Sequence, residues 1–301
     1  MNLSKVGIVG FGEIGSRMGK RLVQRGYSVT AYDIDAQAMN RAKAIGALCA
    51  TSPAEVAQCS EFIIVCVTDP DAVEKCVIGE NGIVEGLQSN SIVIETTTSK
   101  PSTTRKIAVE IERKNGSIID APVSRGVPAA ENGTLSILVG GKEEVLDRCR
   151  PLLECLGTDI IHVGDLGAGH CVKAINMMML GCNLIAASEV ITLGVKAGIE
   201  METMLEVINV SSGESYMTSN HFLKYVLPDT FDSQFSLGLM LKDIKIGTEI
   251  AYESGLAPIA ASKAKEIYRW AASHNMRQED NMRIVQFIQR WMGGYHDRKR
   301  V

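Results

Sequence analysis

Four groups of residues have types and spacings that chemistry can use. Gly10-Phe11-Gly12-Glu13-Ile14-Gly15 is a G-x-G-x-x-G loop. Its first glycine permits a tight turn, its second lets the backbone approach a pyrophosphate, and its third lets a helix pack close. Asp33 follows about twenty residues on, where a carboxylate accepts hydrogen bonds from ribose hydroxyls and repels a 2'-phosphate. Lys173 and Asn176 stand in an apolar helical stretch and share one helix face. A lysine in such surroundings is expensive unless it has a partner or a task. Ser124 and Gly126, in Asp120-Ala121-Pro122-Val123-Ser124-Arg125-Gly126, offer a hydroxyl and backbone N–H groups to a carboxylate. Leu241-Lys242-Asp243 sets a charged pair in a second apolar helix.

Each group needs an element to hold it. Val6-Gly7-Ile8-Val9-Gly10 reads as a buried strand, and the glycine loop then opens a helix that runs to about Gln24 and stops at Gly26. Ser28 to Tyr32 reads as the next strand, ending at Asp33, and Asp35 is placed to cap a helix closed by Gly46. Apolar runs over 61–67, 91–94, 117–119 and 135–139 read as buried strands, with helices over 72–77, 102–114 and 143–156. This alternation predicts an α/β fold, a Rossmann-type doubly wound sheet of mostly parallel strands. In that setting the glycine loop is a dinucleotide site. With Asp33 followed by Ile34 and no arginine for a 2'-phosphate, the expected cofactor is NAD. After Gly164 the alternation ends. Helices are expected over 168–197, 202–209, 235–254, 257–273 and 280–292. The reading is an NAD-binding domain over 1–164 and an all-helical domain for substrate and oligomerisation over 165–301, which begins with a long interdomain helix. The tail from His296 is expected to fray.

Composition narrows the classes. A chain of 301 residues is long for one core, which favours two domains. Its 46% apolar and 22% charged residues are those of a globular protein, and a net charge of −4 argues against a nucleic-acid partner. The longest apolar run, Ala174 to Ala187, falls short of a bilayer and carries Asn176 and Asn183, so no membrane partner is expected. The start at Met1 lacks the pattern of a signal peptide. The 8 cysteines and 5 histidines are scattered without ligand spacing, which predicts thiols in a reducing cytoplasm and no metal. Met177-Met178-Met179 reads as packing, and His170 as structural.

Together the glycine loop, the D-A-P-V-S segment, the G-x-G-x-x-x-K-x-x-N segment over Gly167 to Asn176 and the late Lys242-Asp243 pair resemble the β-hydroxyacid dehydrogenase family, from about Val6 to Met292. That family includes 3-hydroxyisobutyrate dehydrogenase, tartronate semialdehyde reductase and 2-hydroxymethylglutarate dehydrogenase. The resemblance implies hydride transfer between NAD and a 3-hydroxy acid, or reduction of the matching semialdehyde. Lys173 would be the general acid/base. Ser124 and Gly126 would clamp the substrate carboxylate, and Asn176 would orient the substrate. Val67 and Thr68 after the third strand, Thr98 near the nicotinamide, and Lys242 at the closed cleft would touch the cofactor, and Lys242 would touch the substrate as well. The partner would be a small anionic hydroxy acid or semialdehyde, and the assembly a homodimer or homotetramer.

Arg125 departs from the pattern, since most relatives carry a second glycine there. It is read either as a surface residue or as a contact for a second anionic group on the substrate. The latter would bring the chain near the sulfolactaldehyde reductases, although Gly126 and Met177 do not follow that branch. The Gly181-Cys182-Asn183 and Ser211-Ser212-Gly213 segments look more like 2-hydroxymethylglutarate dehydrogenase. Imine reductases usually lack a lysine at position 173, and 6-phosphogluconate-type enzymes have a longer helical domain. A non-enzymatic nucleotide-binding module is the remaining alternative; such domains lack the lysine.

Overall fold

The computed structural model describes residues 4–293, so the tail from His296 lies outside the described residues. By contact the chain forms two compact units, Met1–Lys173 and Ala174–Val301, which divide inside one long helix.

The first unit is built on a nine-stranded sheet. In chain order it contains β1 (Lys5–Val9), α1 (Glu13–Gln24), β2 (Ser28–Tyr32), α2 (Ala36–Ala44), β3 (Leu48–Cys49), α3 (Pro53–Gln58) and β4 (Phe62–Val65). There follow α4 (Pro70–Ile78), α5 (Ile83–Gly86), β5 (Ile92–Glu95), α6 (Pro101–Arg113), β6 (Ser117–Asp120), β7 (Val123–Ser124), α7 (Gly126–Asn132), β8 (Leu135–Gly140), α8 (Glu143–Leu153) and β9 (Gly157–Gly164). The spatial order is β3-β2-β1-β4-β5-β6-β8-β7, with β9 paired to β8. The first six strands of that order are parallel, and the chain reverses direction across the sheet between β1 and β4. That switch point is where a crevice opens at the carboxyl ends of the strands. Val6, Ile8, Ile64, Ile92 and Ile94 bury one face against α1 and its neighbours, while Val9, Ile63, Val65 and Val93 bury the other against α4 and α6. Helix starts are written locally. Asp35 accepts from the N–H groups of Gln37 and Ala38, Ser52 precedes Pro53, and Asp69 precedes Pro70.

Three short features escape the apolar pattern. β3 and β7 have two residues each, and β7 and β6 pair with β8 in the antiparallel sense. The segment after Ser124, which reads as irregular loop, is instead the start of α7. β9 also goes unseen in the sequence pattern, because its residues are mostly half-exposed or exposed at the sheet margin.

The second unit is helical, as its pattern predicts. α9 (Ala168–Lys196) is followed by α10 (Met201–Asn209), a π-helical segment (Met217–Val226), α11 (Leu237–Glu253), α12 (Ile259–Ala271) with a π-type turn to Met276, and α13 (Ile284–Trp291). α11 packs tightly on α9. A Cβ added at Gly247 would meet Met178 Sδ at 2.3 Å, and one at Gly181 would meet Ile244 Cδ1 at 2.4 Å. The expectation that no segment reaches membrane-spanning length needs correction. α9 has 29 residues and a window of mean hydropathy 1.6, because Asn176 and Asn183 do not interrupt it and it continues through Leu193. Its buried side chains, Met177, Leu184, Ile185 and Ile191, belong to the core of this unit, and the core helix of a globular domain has the same composition.

Candidate active site

The glycine loop has the geometry its spacing demands. Gly10 adopts φ +94°, and a Cβ there would fall 2.1 Å from Cys66 O on the neighbouring β4 turn. A Cβ on Gly15 would fall 2.1 Å from Gly10 O, so α1 lies directly on the loop. Gly12 has nothing within 4 Å of the position a Cβ would take. No side chain caps α1. An open glycine at an uncapped helix start is a cradle for phosphate. At the end of β2, Asp33 Oδ2 accepts the Phe11 N–H at 2.6 Å and Oδ1 accepts the Asp35 N–H at 2.8 Å. The carboxylate is thereby fixed at the rim of the loop, with Glu13 and Ile14 opening α1. Arg17 and Lys20, beside the loop in sequence, pair with Glu131 of α7, and Arg21 binds the carbonyl of Cys155. They fasten α1 to α7. These residues fit a dinucleotide.

Beneath the loop, burial pushes the Cys66 thiol up to about 11, so it stays a neutral thiol. Val67 donates its N–H to Thr97 Oγ1 at 3.1 Å, which ties the turn after β4 to the turn after β5. Thr68 is exposed on the first turn and Thr98 half-buried on the second.

The structure brings Ser124 and Lys173 together. Lys173, on the first turns of α9, is 7% exposed, and its Nζ donates to Ser124 Oγ at 3.1 Å. Two further residues hold this corner, and the sequence reading missed the part they play. Asp120, at the end of β6 and fully buried, accepts the Gly167 N–H at 2.7 Å and the His170 N–H at 2.8 Å. It therefore caps α9 from a distant strand. Glu95, at the end of β5 and fully buried, is hydrogen-bonded to His170 Nε2. The available signal was an acidic residue closing each of two buried strands, which calls for a partner.

Arg125 and Gly126 take successive left-handed conformations at φ +80° and +68°. The Arg125 guanidinium turns to β9, with its Nη1 2.5 Å from Asp159 Oδ2 and 3.2 Å from the carbonyl of Thr134. The Thr158 hydroxyl, and then Arg125, hold the Asp159 carboxyl below the usual carboxylate range. In the second unit, Asn176 is exposed on α9, and half-buried Lys242 on α11 lies 3.1 Å from Asp243.

Together, the glycine cradle, the parallel sheet and its switch point define a dinucleotide-binding domain of the Rossmann type. Comparison with known proteins agrees. Residues 5–164 match the NAD-binding domain model of 6-phosphogluconate dehydrogenase, and residues 167–288 match a model described as NAD-binding of NADP-dependent 3-hydroxyisobutyrate dehydrogenase. The 2-(hydroxymethyl)glutarate dehydrogenase of Eubacterium barkeri is 32% identical over 96% of this chain and 96% of its own. The mitochondrial 3-hydroxyisobutyrate dehydrogenase of Mus musculus is 30% identical over 94% of this chain and 86% of its own. A Mycobacterium tuberculosis 3-hydroxyisobutyrate dehydrogenase structure with L-serine superposes at TM-score 0.89, with 26% identity over 95% of this chain and 99% of that one. The chain belongs to the β-hydroxyacid dehydrogenase family of NAD(P)-dependent enzymes acting on CH–OH donors.

Proposed function

We propose that the protein transfers hydride between NAD and a small 3-hydroxy acid, or reduces the matching semialdehyde, with Lys173 as general acid/base. The observation that carries this reading is the buried Lys173 Nζ 3.1 Å from the Ser124 hydroxyl. An amino group held beside a hydroxyl in a nearly dry corner suits a substrate whose reacting oxygen exchanges a proton. When bound, NAD supplies the hydride acceptor. Of the chain's own residues, Ser124 and the N–H groups at Gly126 take the substrate carboxylate. In oxidation Lys173 as a neutral amine takes the hydroxyl proton and becomes an ammonium, and in reduction the ammonium gives that proton to the forming alkoxide. Asn176, three residues on along α9, orients the substrate, and Lys242 adds positive charge toward substrate and cofactor. Val67, Thr68 and Thr98 line the cofactor. Asp33 supports NAD over NADP, because its carboxylate would accept from the ribose hydroxyls and would repel a 2'-phosphate. Arg125 is tied to Asp159, and a series of substrates with one and two anionic groups decides whether it also reads a distal group.

The eight free cysteines fit a reducing cytoplasm. Met179 and Leu193 of α9, exposed at 61% and 63%, supply apolar surface that a second copy would cover in a homodimer or homotetramer. The test is an NAD-linked oxidation screen over 3-hydroxy acids with different distal groups, run beside Lys173→Ala. Turnover that depends on Lys173 is expected. NADH binding without turnover on any of them, or full turnover in the variant, overturns the reading.

A further inference from the structure

Lys173 sits on a helix whose start is held by two carboxylates, and only one of them caps it. Glu95 and Asp120 are register partners across β5 and β6, so the ends of adjacent strands present two acids side by side. Both converge on residue 170. Asp120 takes the backbone N–H groups of Gly167 and His170, which satisfies the helix start. Glu95 takes the imidazole of His170 and also accepts the Thr104 hydroxyl at 3.3 Å. The helix start cannot slide, since a Cβ on Gly169 would lie 2.3 Å from Leu138 O and 2.8 Å from Asp120 Oδ2.

The cap fixes where α9 begins. The side-chain link fixes its rotation, because His170 and Lys173 are three residues apart and project from one face. Glu95 also runs directly into Thr96-Thr97-Thr98, and Thr97 binds the turn after β4. The link thus joins the helix that carries Lys173 to the cofactor-side turns. A buried ionisable pair contributes little net stability over an apolar pair of equal volume, so its value lies in placement.

We propose that Glu95 and His170 are positioning residues, which set the azimuth of α9 so that Lys173 Nζ meets the reacting oxygen of the substrate in line with the cofactor. This rests on the reading of Lys173 as the acid/base. The experiment compares steady-state kcat and KM, NADH affinity by fluorescence and the solvent isotope effect on kcat, on the full chain well below its Tm. With His170→Ala, kcat falls on the order of ten- to a hundredfold while KM and NADH affinity stay within about threefold. The solvent isotope effect rises as proton transfer becomes slower. His170→Gln, which returns a donor to Glu95, restores kcat to within about threefold. Unchanged kcat in His170→Ala overturns the proposal. So does a fall in kcat that matches the loss of folded protein.

Should His170→Ala not fold, the paired variants decide. Glu95→Gln with His170→Gln keeps a neutral hydrogen bond, and Glu95→Leu with His170→Leu keeps volume without one. Lower kcat in the leucine pair alone supports the link; equal kcat in both pairs overturns it. Lys173→Ala is measured in parallel. If it keeps its turnover, the acid/base reading fails. If it loses turnover while the His170 variants do not, only the positioning role fails.

Discussion

Asp120→Asn tests the cap on α9. The substitution keeps shape and volume, so no cavity opens, yet it removes the charge and turns an amide NH2 toward one of two buried N–H groups. The structure allows the loss to be worked out. One N–H, at Gly167 or His170, loses its acceptor inside a fully buried site, which costs about 1–3 kcal/mol. The negative charge at the helix N-terminus is also lost, worth up to about 2 kcal/mol in a buried geometry. The sum is about 1–5 kcal/mol, which at about 2–4 °C per kcal/mol lowers Tm by roughly 2–20 °C for a unit of this size. Thermal melts followed by far-UV circular dichroism, at one pH and protein concentration, measure it. A shift under about 2 °C would refute the account, since the carboxylate would then not be what satisfies the helix start.

Asp33→Asn is expected to lower kcat/KM for NAD on the order of tenfold and to narrow the gap to NADP, as a charge-assisted bond to the ribose is lost; equal kcat/KM for NAD would place the ribose elsewhere. His221 lies between Tyr216, tilted to it, and Tyr225, edge-on to it, and burial, then the Lys224 charge, lower its pKa from 6.5 to about 4. The unfolded chain therefore binds this proton first, so its stability contribution is present above pH 6.5 and is lost as pH falls toward 4. After allowing for the part of the ring that water reaches, the loss is about 2 kcal/mol; His221→Gln should flatten the fall in Tm between pH 7 and 5, and parallel falls would remove His221 as its source. Arg125→Gly relieves about 1–2 kcal/mol of left-handed backbone strain but gives up an exposed ion pair and stiffens the unfolded chain less, so stability stays within about 1 kcal/mol. With the guanidinium tied to Asp159, kcat/KM on a dianionic substrate should change by less than about threefold in that variant, and a selective loss on the dianion would show that Arg125 leaves Asp159 to bind it.

Much of the fold was legible because it is encoded over short distances. The β1 run and the glycines at 10, 12 and 15 specify a strand, a turn and a helix within one local unit, and the acid at 33 closes the next strand beside them. Asp35 as a helix cap is equally local, and the structure shows it accepting from the next two N–H groups in reach. The helical second half follows from its apolar period. What escaped were elements too short to show a period, such as β7 and α7, and the π-helical segment over Met217–Val226, whose extra residue per turn an α-helical period cannot register.

The sequence by itself predicted a dinucleotide fold followed by a helical half, and it singled out Lys173 as a lysine that an apolar helix does not carry without a partner. Only the tertiary structure decided what surrounds that lysine. Ser124 reaches it across 49 positions, Asp120 caps its helix across 47 and 50, and Glu95 meets His170 across 75. Hydrophobic period and turn chemistry act between near neighbours, so they are visible along the chain. The partner of a buried polar group depends on which strand ends lie side by side, and that is settled only when β5 and β6 come into register.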